Sequence, residues 1–160
     1  MKNQKVRKVF RSRFSVLLIG FILVFLLPGV IPIFTHKIYQ GMYIEGGVFL
    51  FILLIFSGIH YVISEDKLYL KIWFVPTCSF KIADIASIKR SYDLFDVPTN
   101  TTASFKKLRL QFERETKYSY VHVSPVREQE FIEELKKVNP NINVSFYNKN
   151  GIGRILDWDI

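Results

Sequence analysis

Two long stretches of the chain carry no formal charge, and they constrain its fold more than any other feature. The first runs from Phe14 to His36 and the second from Gly46 to Ser64. An α-helix rises about 1.5 Å per residue, so about 20 apolar residues suffice to cross a hydrocarbon core roughly 30 Å thick. The sequence therefore predicts a transmembrane hairpin over residues 14–64, with spans at about 14–35 and 45–63.

A secretory signal peptide is the alternative interpretation of the first apolar run, because basic residues precede it. Such a peptide has an apolar region of about 7 to 15 residues, followed by small residues at a cleavage site. Here the run is longer, and it contains the bulky, kink-prone segment Pro28-Gly29-Val30-Ile31-Pro32. These features favour a retained span.

The basic charge is concentrated before the first span. Residues 1–13 contain six Lys or Arg and no acid, whereas residues 65–160 contain 15 basic and 13 acidic residues. Because an excess of Lys and Arg marks the cytoplasmic flank of a span, a basic cytoplasmic arm is predicted at 1–13 and a cytoplasmic domain at 65–160. Localisation is then the cell membrane, with two spans and both termini cytoplasmic. No basic face is evident in the nearly neutral domain, which argues against a nucleic-acid partner.

The part after residue 64 alternates with the period of β-strands. This pattern predicts one hairpin from 61–63 and 68–74 and a second from 108–112 and 118–123. A helix is predicted from Ser124-Pro125, since Ser is a preferred N-cap and apolar residues then recur three and four apart. Alternation returns at 142–146, and the role of the tail 143–160 is left open.

Several short segments, in this order along the chain, carry a resemblance to a known family. They are residues 61–68, 82–88, 103–110, 123–125, 131–135 and 139–142. They resemble small bacterial membrane proteins that carry a pleckstrin-homology-like (PH-like) domain, among them an immunity protein against the bacteriocin sublancin. The resemblance implies an α+β membrane protein, in which two transmembrane helices precede a small, bent antiparallel β-sheet domain closed by a C-terminal α-helix.

Motifs for catalysis or metal binding are absent from the sequence. The chain has no glycine-rich phosphate loop, no His-Glu-x-x-His motif, no CxxC pair and no Gly-x-Ser-x-Gly elbow. Its three histidines, His36, His60 and His122, fall in separate predicted elements. We therefore predict no enzyme activity, no catalytic or metal-binding residue and no cofactor.

One basic cluster in the predicted domain is a candidate contact for anionic lipid. It consists of Lys106, Lys107 and Arg109. PH-like folds can bind lipid phosphates, which requires several converging cations. Lys106 and Lys107 would point to opposite faces of a strand, so a solvated strand edge is the competing interpretation.

The predicted function is that of a membrane-anchored PH-like binding module at the cytoplasmic membrane surface. Its predicted partners are the lipid bilayer and another membrane protein or a peptide toxin, and its oligomeric state stays open. The alternative is immunity to a bacteriocin, either a lantibiotic-like or a glycopeptide toxin.

Overall fold

The computed structural model describes residues 7–16, 19–20, 22–24, 40–91, 102, 104, 106–113 and 119–146. Within these residues the elements are, in chain order, β1 (Arg7–Arg11), α1 (Gln40–Ser57), β2 (Ile59–Ser64), β3 (Lys67–Ile72), β4 (Val75–Lys81), a 3-10 turn (Ile82–Asp84), β5 (Ile85–Ser91), β6 (Lys107–Phe112), β7 (Tyr120–Val123), α2 (Glu128–Val138) and β8 (Asn143–Ser145). A few residues between β1 and α1, at 16, 19–20 and 22–24, are also helical.

The first sheet has the strand order β1-β2-β3-β4, with every neighbouring pair antiparallel. Its strands follow the alternation in the sequence: Leu68 and Leu70 are buried, while Tyr69 between them lies on the outer face. The hairpin predicted from 61–63 and 68–74 is confirmed as β2 and β3. Its turn places Glu65 at a left-handed φ of 55°.

The second sheet has the strand order β7-β6-β5-β8. The hairpin predicted from 108–112 and 118–123 is confirmed as β6 and β7, which pair antiparallel. The alternation seen at 142–146 forms the short strand β8, which pairs parallel to β5. A parallel partner at this edge departs from the purely antiparallel sheet that was predicted.

A single core lies between the two sheets and α2. Phe80 of the first sheet stacks on Phe112 of the second, with ring centroids 5.0 Å apart. The helical stripe enters the same cluster through Phe131 and Leu135, both fully buried. The predicted packing of the C-terminal helix on the sheets is therefore confirmed, and burial of this apolar surface is the main source of stability.

The N-terminal segment joins the two sheets. Beyond β1, Ser12 donates its N–H to the carbonyl of Ile59 at 3.1 Å and forms an isolated bridge with Pro125. The Val126 N–H donates to the Arg11 carbonyl at 3.0 Å. Residues 7–11, expected in a basic arm, are thus a strand of the sheet.

The helix start predicted at Ser124-Pro125 is wrong. The helix α2 begins at Glu128, with Arg127 at its N-cap position. Ser124 instead donates its N–H to the Tyr61 hydroxyl at 2.9 Å, and its Oγ lies 2.9 Å from Ser12 Oγ. The buried cluster of hydroxyl groups therefore takes the serine that local sequence assigned to a cap.

Among the residues that the structure describes, no helix is both long and apolar enough to cross a bilayer. The prediction of two transmembrane helices, and of a multi-pass protein of the cell membrane, is therefore wrong. The second predicted span, 45–63, divides between α1, which ends at Ser57, and β2, which begins at Ile59. The physical reason is that Ile59, Tyr61 and Ile63 have no charge because they fill the core of the sheet.

Other predictions fall on residues outside the described ranges. They include most of the first predicted span at 25–35, with Pro28 and Pro32, and the tail from residue 147 onwards.

Candidate functional site

The turn between β3 and β4 presents two aromatic residues at its tip. Trp73 has a left-handed φ of 56°, which is unusual for a bulky side chain and costs about 1 to 3 kcal/mol. The next two side chains are strongly exposed, Phe74 at 91% and Val75 at 66%. A strained backbone that holds apolar side chains in the open is a feature of functional sites.

The tip is anchored on the end of α1. Trp73 donates its N–H to the Gly58 carbonyl at 2.8 Å, and its indole Nε1–H donates to the Leu54 carbonyl at 3.0 Å. A methyl group on Gly58 would overlap the Trp73 indole, so this position requires glycine. The anchoring fixes the indole and leaves the phenyl ring of Phe74 projecting.

The helix α1 continues the apolar surface. Every residue from Val48 to Phe56 is apolar, so this part of the helix has no polar face to present to water. Its exposed large apolar side chains are Tyr43, Ile44, Val48, Leu50, Phe51 and Leu54. We call these six residues, together with Trp73, Phe74 and Val75, the apolar edge.

The outer face of the first sheet carries a second feature, an array of cations. Strand pairing places Arg11, His60 and Lys71 in one row across β1, β2 and β3. Another row, four residues further along the strands, contains Arg7, Ser64, Lys67 and Lys81. The neutral row between them consists of Val9, Val62, Tyr69 and Ser79. We call Arg7, Arg11, Lys67, Lys71 and Lys81 the basic face.

The described residues in these rows include no acid, so the charges of the basic face add. Among the residues that the structure describes, ion pairs are formed by other cations, such as Lys8 with Glu134 at 2.9 Å. The expectation that no basic face exists is therefore wrong. Sequence counting missed it because Arg7 and Arg11 were assigned to an arm, whereas β1 places them beside lysines some 60 residues later.

The two features meet at a shallow hollow of about 270 Å³. Arg11, His60 and Trp73 line it, with Phe74 at its rim. His60 is fixed there by a contact of 2.9 Å between its Nδ1 and the Gly58 carbonyl. The hollow thus combines cationic, imidazole and aromatic groups at the end of the basic face nearest the apolar edge.

The residues predicted to contact anionic lipid lie in the second sheet. Lys107 and Arg109 share one face of β6, and Lys106 precedes the strand. Lys107 is almost fully buried, and the Arg109 guanidinium lies over the Tyr120 ring, 3.8 Å from its centroid. The structure thus brings two of the three residues together, and their contact with lipid stays a prediction.

A second hollow, of about 280 Å³, lies between β5 and α2. Arg90 donates its Nε–H to Glu128 at 3.0 Å and stands over the Phe146 ring, 4.7 Å from its centroid. Because Glu128 neutralises this arginine, the arrangement links the helix to the sheet. In the described part of the chain no three His, Cys, Asp or Glu side chains are grouped to hold a metal ion. His60 and His122 lie in different sheets, and His36 lies outside that part.

Comparison with known proteins identifies the family. No curated protein and no solved structure matches the chain, so similarity to the sublancin immunity protein is not shown. A family model described as a bacterial PH domain matches residues 59–139, from the start of β2 to just beyond α2. PH-like domains are generally binding modules rather than catalysts. Since this match covers half of the chain, the protein belongs to the bacterial PH domain family.

Proposed function

We propose that this PH-like domain is a binding module for the surface of a lipid bilayer, with the apolar edge as its contact. The observation that carries the proposal is the position of Phe74, 91% exposed at the tip of a strained turn. Large apolar side chains in water are costly, at about 25 cal/mol for each Å² exposed. Their grouping on one edge indicates that the edge meets an apolar phase.

A bilayer suits this edge better than a protein groove. A groove that receives a helix selects one apolar stripe, whereas α1 is apolar on all its faces between Val48 and Phe56. Trp73 and Tyr43 add amphipathic rings, which are favoured at the boundary between headgroups and acyl chains. Contact of this kind involves no helix that crosses the bilayer, and the proposal assigns no catalytic role.

The fluorescence of Trp73 tests the proposal directly. Trp158→Phe leaves Trp73 as the single tryptophan, because the chain contains two. We expect its emission to shift to shorter wavelength when phosphatidylcholine vesicles are added to the full chain. An unchanged emission spectrum, together with no flotation of the protein with the vesicles, would overturn the proposal.

Matched substitutions locate the contact. Phe74→Ser is expected to weaken partition into vesicles about tenfold, since a tenfold change corresponds to about 1.4 kcal/mol, near the value for partly burying a phenylalanine. Val75→Ser is compared with Val138→Ser, an exposed valine at the end of α2. Equal effects of the two valine substitutions would show that the tip is not the contact.

A further inference from the structure

We infer that the row Arg11, His60 and Lys71 is a recognition site for the phosphate groups of anionic phospholipids. This inference rests on the proposed function, because it takes the apolar edge as the part that meets the bilayer. It adds a ligand class and a set of residues that neither the family match nor the sequence indicates.

The position of this row along the strands supports the inference. Lys71 lies two residues before Trp73, which is about 7 Å along an extended strand. Its neighbours in the row, His60 and Arg11, are adjacent across the sheet, each Cα about 5 Å from the next. If the tip enters the boundary between headgroups and acyl chains, these side chains stand at the depth of the phosphates.

The other cations of the basic face stand further from that plane. Arg7 and Lys67 lie four residues along β1 and β3 from Arg11 and Lys71, which is about 13 Å. This distance exceeds the screening length of about 8 Å at physiological ionic strength. Glu65 and Asp66, in the turn beside Lys67, further reduce the positive potential at this end. The sheet therefore has a near row that contacts headgroups and a far row that contributes little.

Nucleic acid is the other polyanion that a flat basic face could bind. The apolar edge argues against it, because binding of a polyphosphate chain beside the near row would leave Phe74 and Val75 in water. The hollow beside Arg11 and His60 also opens towards these residues rather than along the sheet. The combination of cations with an apolar tip fits a surface that is anionic above and apolar below.

Two double variants with the same change of charge test the inference. Arg11→Gln/Lys71→Gln removes the near cations, and Arg7→Gln/Lys67→Gln removes one arginine and one lysine from the same two strands at the far row. Binding of the full chain is measured by flotation with vesicles of phosphatidylcholine alone and of phosphatidylcholine mixed with phosphatidylglycerol. Each cation at an anionic surface strengthens binding by about fivefold.

The expected result is a loss of about twentyfold for the near-row variant on the mixed vesicles. The far-row variant should change by less than about threefold, and neither variant should differ from the unmodified chain on phosphatidylcholine alone. Equal losses for the two variants would overturn the inference, because net charge alone would then explain binding. Tighter binding of the unmodified chain to an RNA or DNA oligonucleotide than to mixed vesicles would overturn it as well.

The two lipid compositions separate this inference from the proposed function. If the apolar edge does not contact lipid, the chain fails to bind phosphatidylcholine vesicles and the emission of Trp73 does not shift. If only the phosphate site is absent, the chain binds both kinds of vesicle equally and Trp73 still reports contact.

Discussion

The ring of Phe10 packs edge-on against Phe131, with centroids 5.2 Å apart and planes at 86°. This contact brings β1 into the core beside α2, although Phe10 lies outside the segment 59–139 that defines the family. The two faces of β1 thus have separate roles, since Phe10 fills the core while Arg7 and Arg11 extend the basic face.

Phe10→Ala is expected to lower the free energy of unfolding by about 3 to 5 kcal/mol, because it removes a fully buried ring and leaves a cavity. Denaturant unfolding of the full chain measures the change. Val9→Ala is the control, since this neighbour is half exposed on the outer face and should cost much less. Similar costs for the two variants would mean that β1 is not part of the folded core.

Tyr61→Phe is expected to cost about 1 to 3 kcal/mol without changing the shape of the core. The Tyr61 hydroxyl donates to Ser12 Oγ at 3.2 Å and accepts the Ser124 N–H at 2.9 Å, so its removal leaves buried polar groups unpaired. Burial raises the pKa of Tyr61 against the opposing effect of these hydrogen bonds, which keeps the hydroxyl protonated. Thermal unfolding compares this variant with Tyr69→Phe on the outer face, and equal melting temperatures would refute the role of the cluster.

Asn139→Ala is expected to destabilise the junction after α2 by about 1 to 3 kcal/mol. The side-chain Nδ2 donates towards the carbonyls of Ile82 and Ile85, each at 3.2 Å, and Oδ1 accepts the Asn141 N–H at 3.1 Å. Amide hydrogen exchange should reveal faster opening at β5 and the end of the helix. The matched control is Asn141→Ala, whose exposed side chain lies two residues on; comparable exchange in both variants would contradict the assignment.

The stability contributed by Glu134 is expected to depend on pH. Hydrogen bonds from Lys137 and Lys8 hold the pKa of this carboxyl below its ordinary value of 4.5. The folded state therefore favours the charged form, so the contribution is complete above the ordinary pKa and is lost as pH falls through the lowered one. Unfolding free energies of the unmodified chain and of Glu134→Gln should differ near neutral pH and converge in acid.

Glu133→Gln is the control for this profile, because its exposed side chain is adjacent in sequence and outside the described ion pairs. A gap between the unmodified chain and Glu134→Gln that stayed constant down to strongly acidic pH would rule out the ion pairs with Lys8 and Lys137 as its source.

The charge-free run from Gly46 to Ser64 was interpreted from composition, and composition does not distinguish a membrane span from a helix followed by a buried strand. The structure places Ile59, Tyr61 and Ile63 in the core. Their alternation with His60 and Val62 has the period of a strand, so the signal was present over a short window. An averaging window of the length of a span conceals it.

The candidate site was predicted in the wrong sheet. Lys106, Lys107 and Arg109 were chosen because they are close in sequence, which is the only proximity that sequence offers. The basic face depends on the pairing of β1 with β2, and Arg11 and His60 become neighbours only through that pairing. The exposure of Phe74 likewise follows from the turn that carries it.

The sequence by itself determined the two confirmed hairpins, the amphipathic C-terminal helix and its packing on the sheets, because periods of two and of three to four residues are local properties of the chain. Tertiary structure alone decided that residues 7–11 complete the first sheet, that Ser124 joins a hydroxyl cluster and that five cations share one face. These features depend on contacts between residues far apart in the chain, such as Ser12 and Ser124, and no local pattern specifies which distant segments will pair.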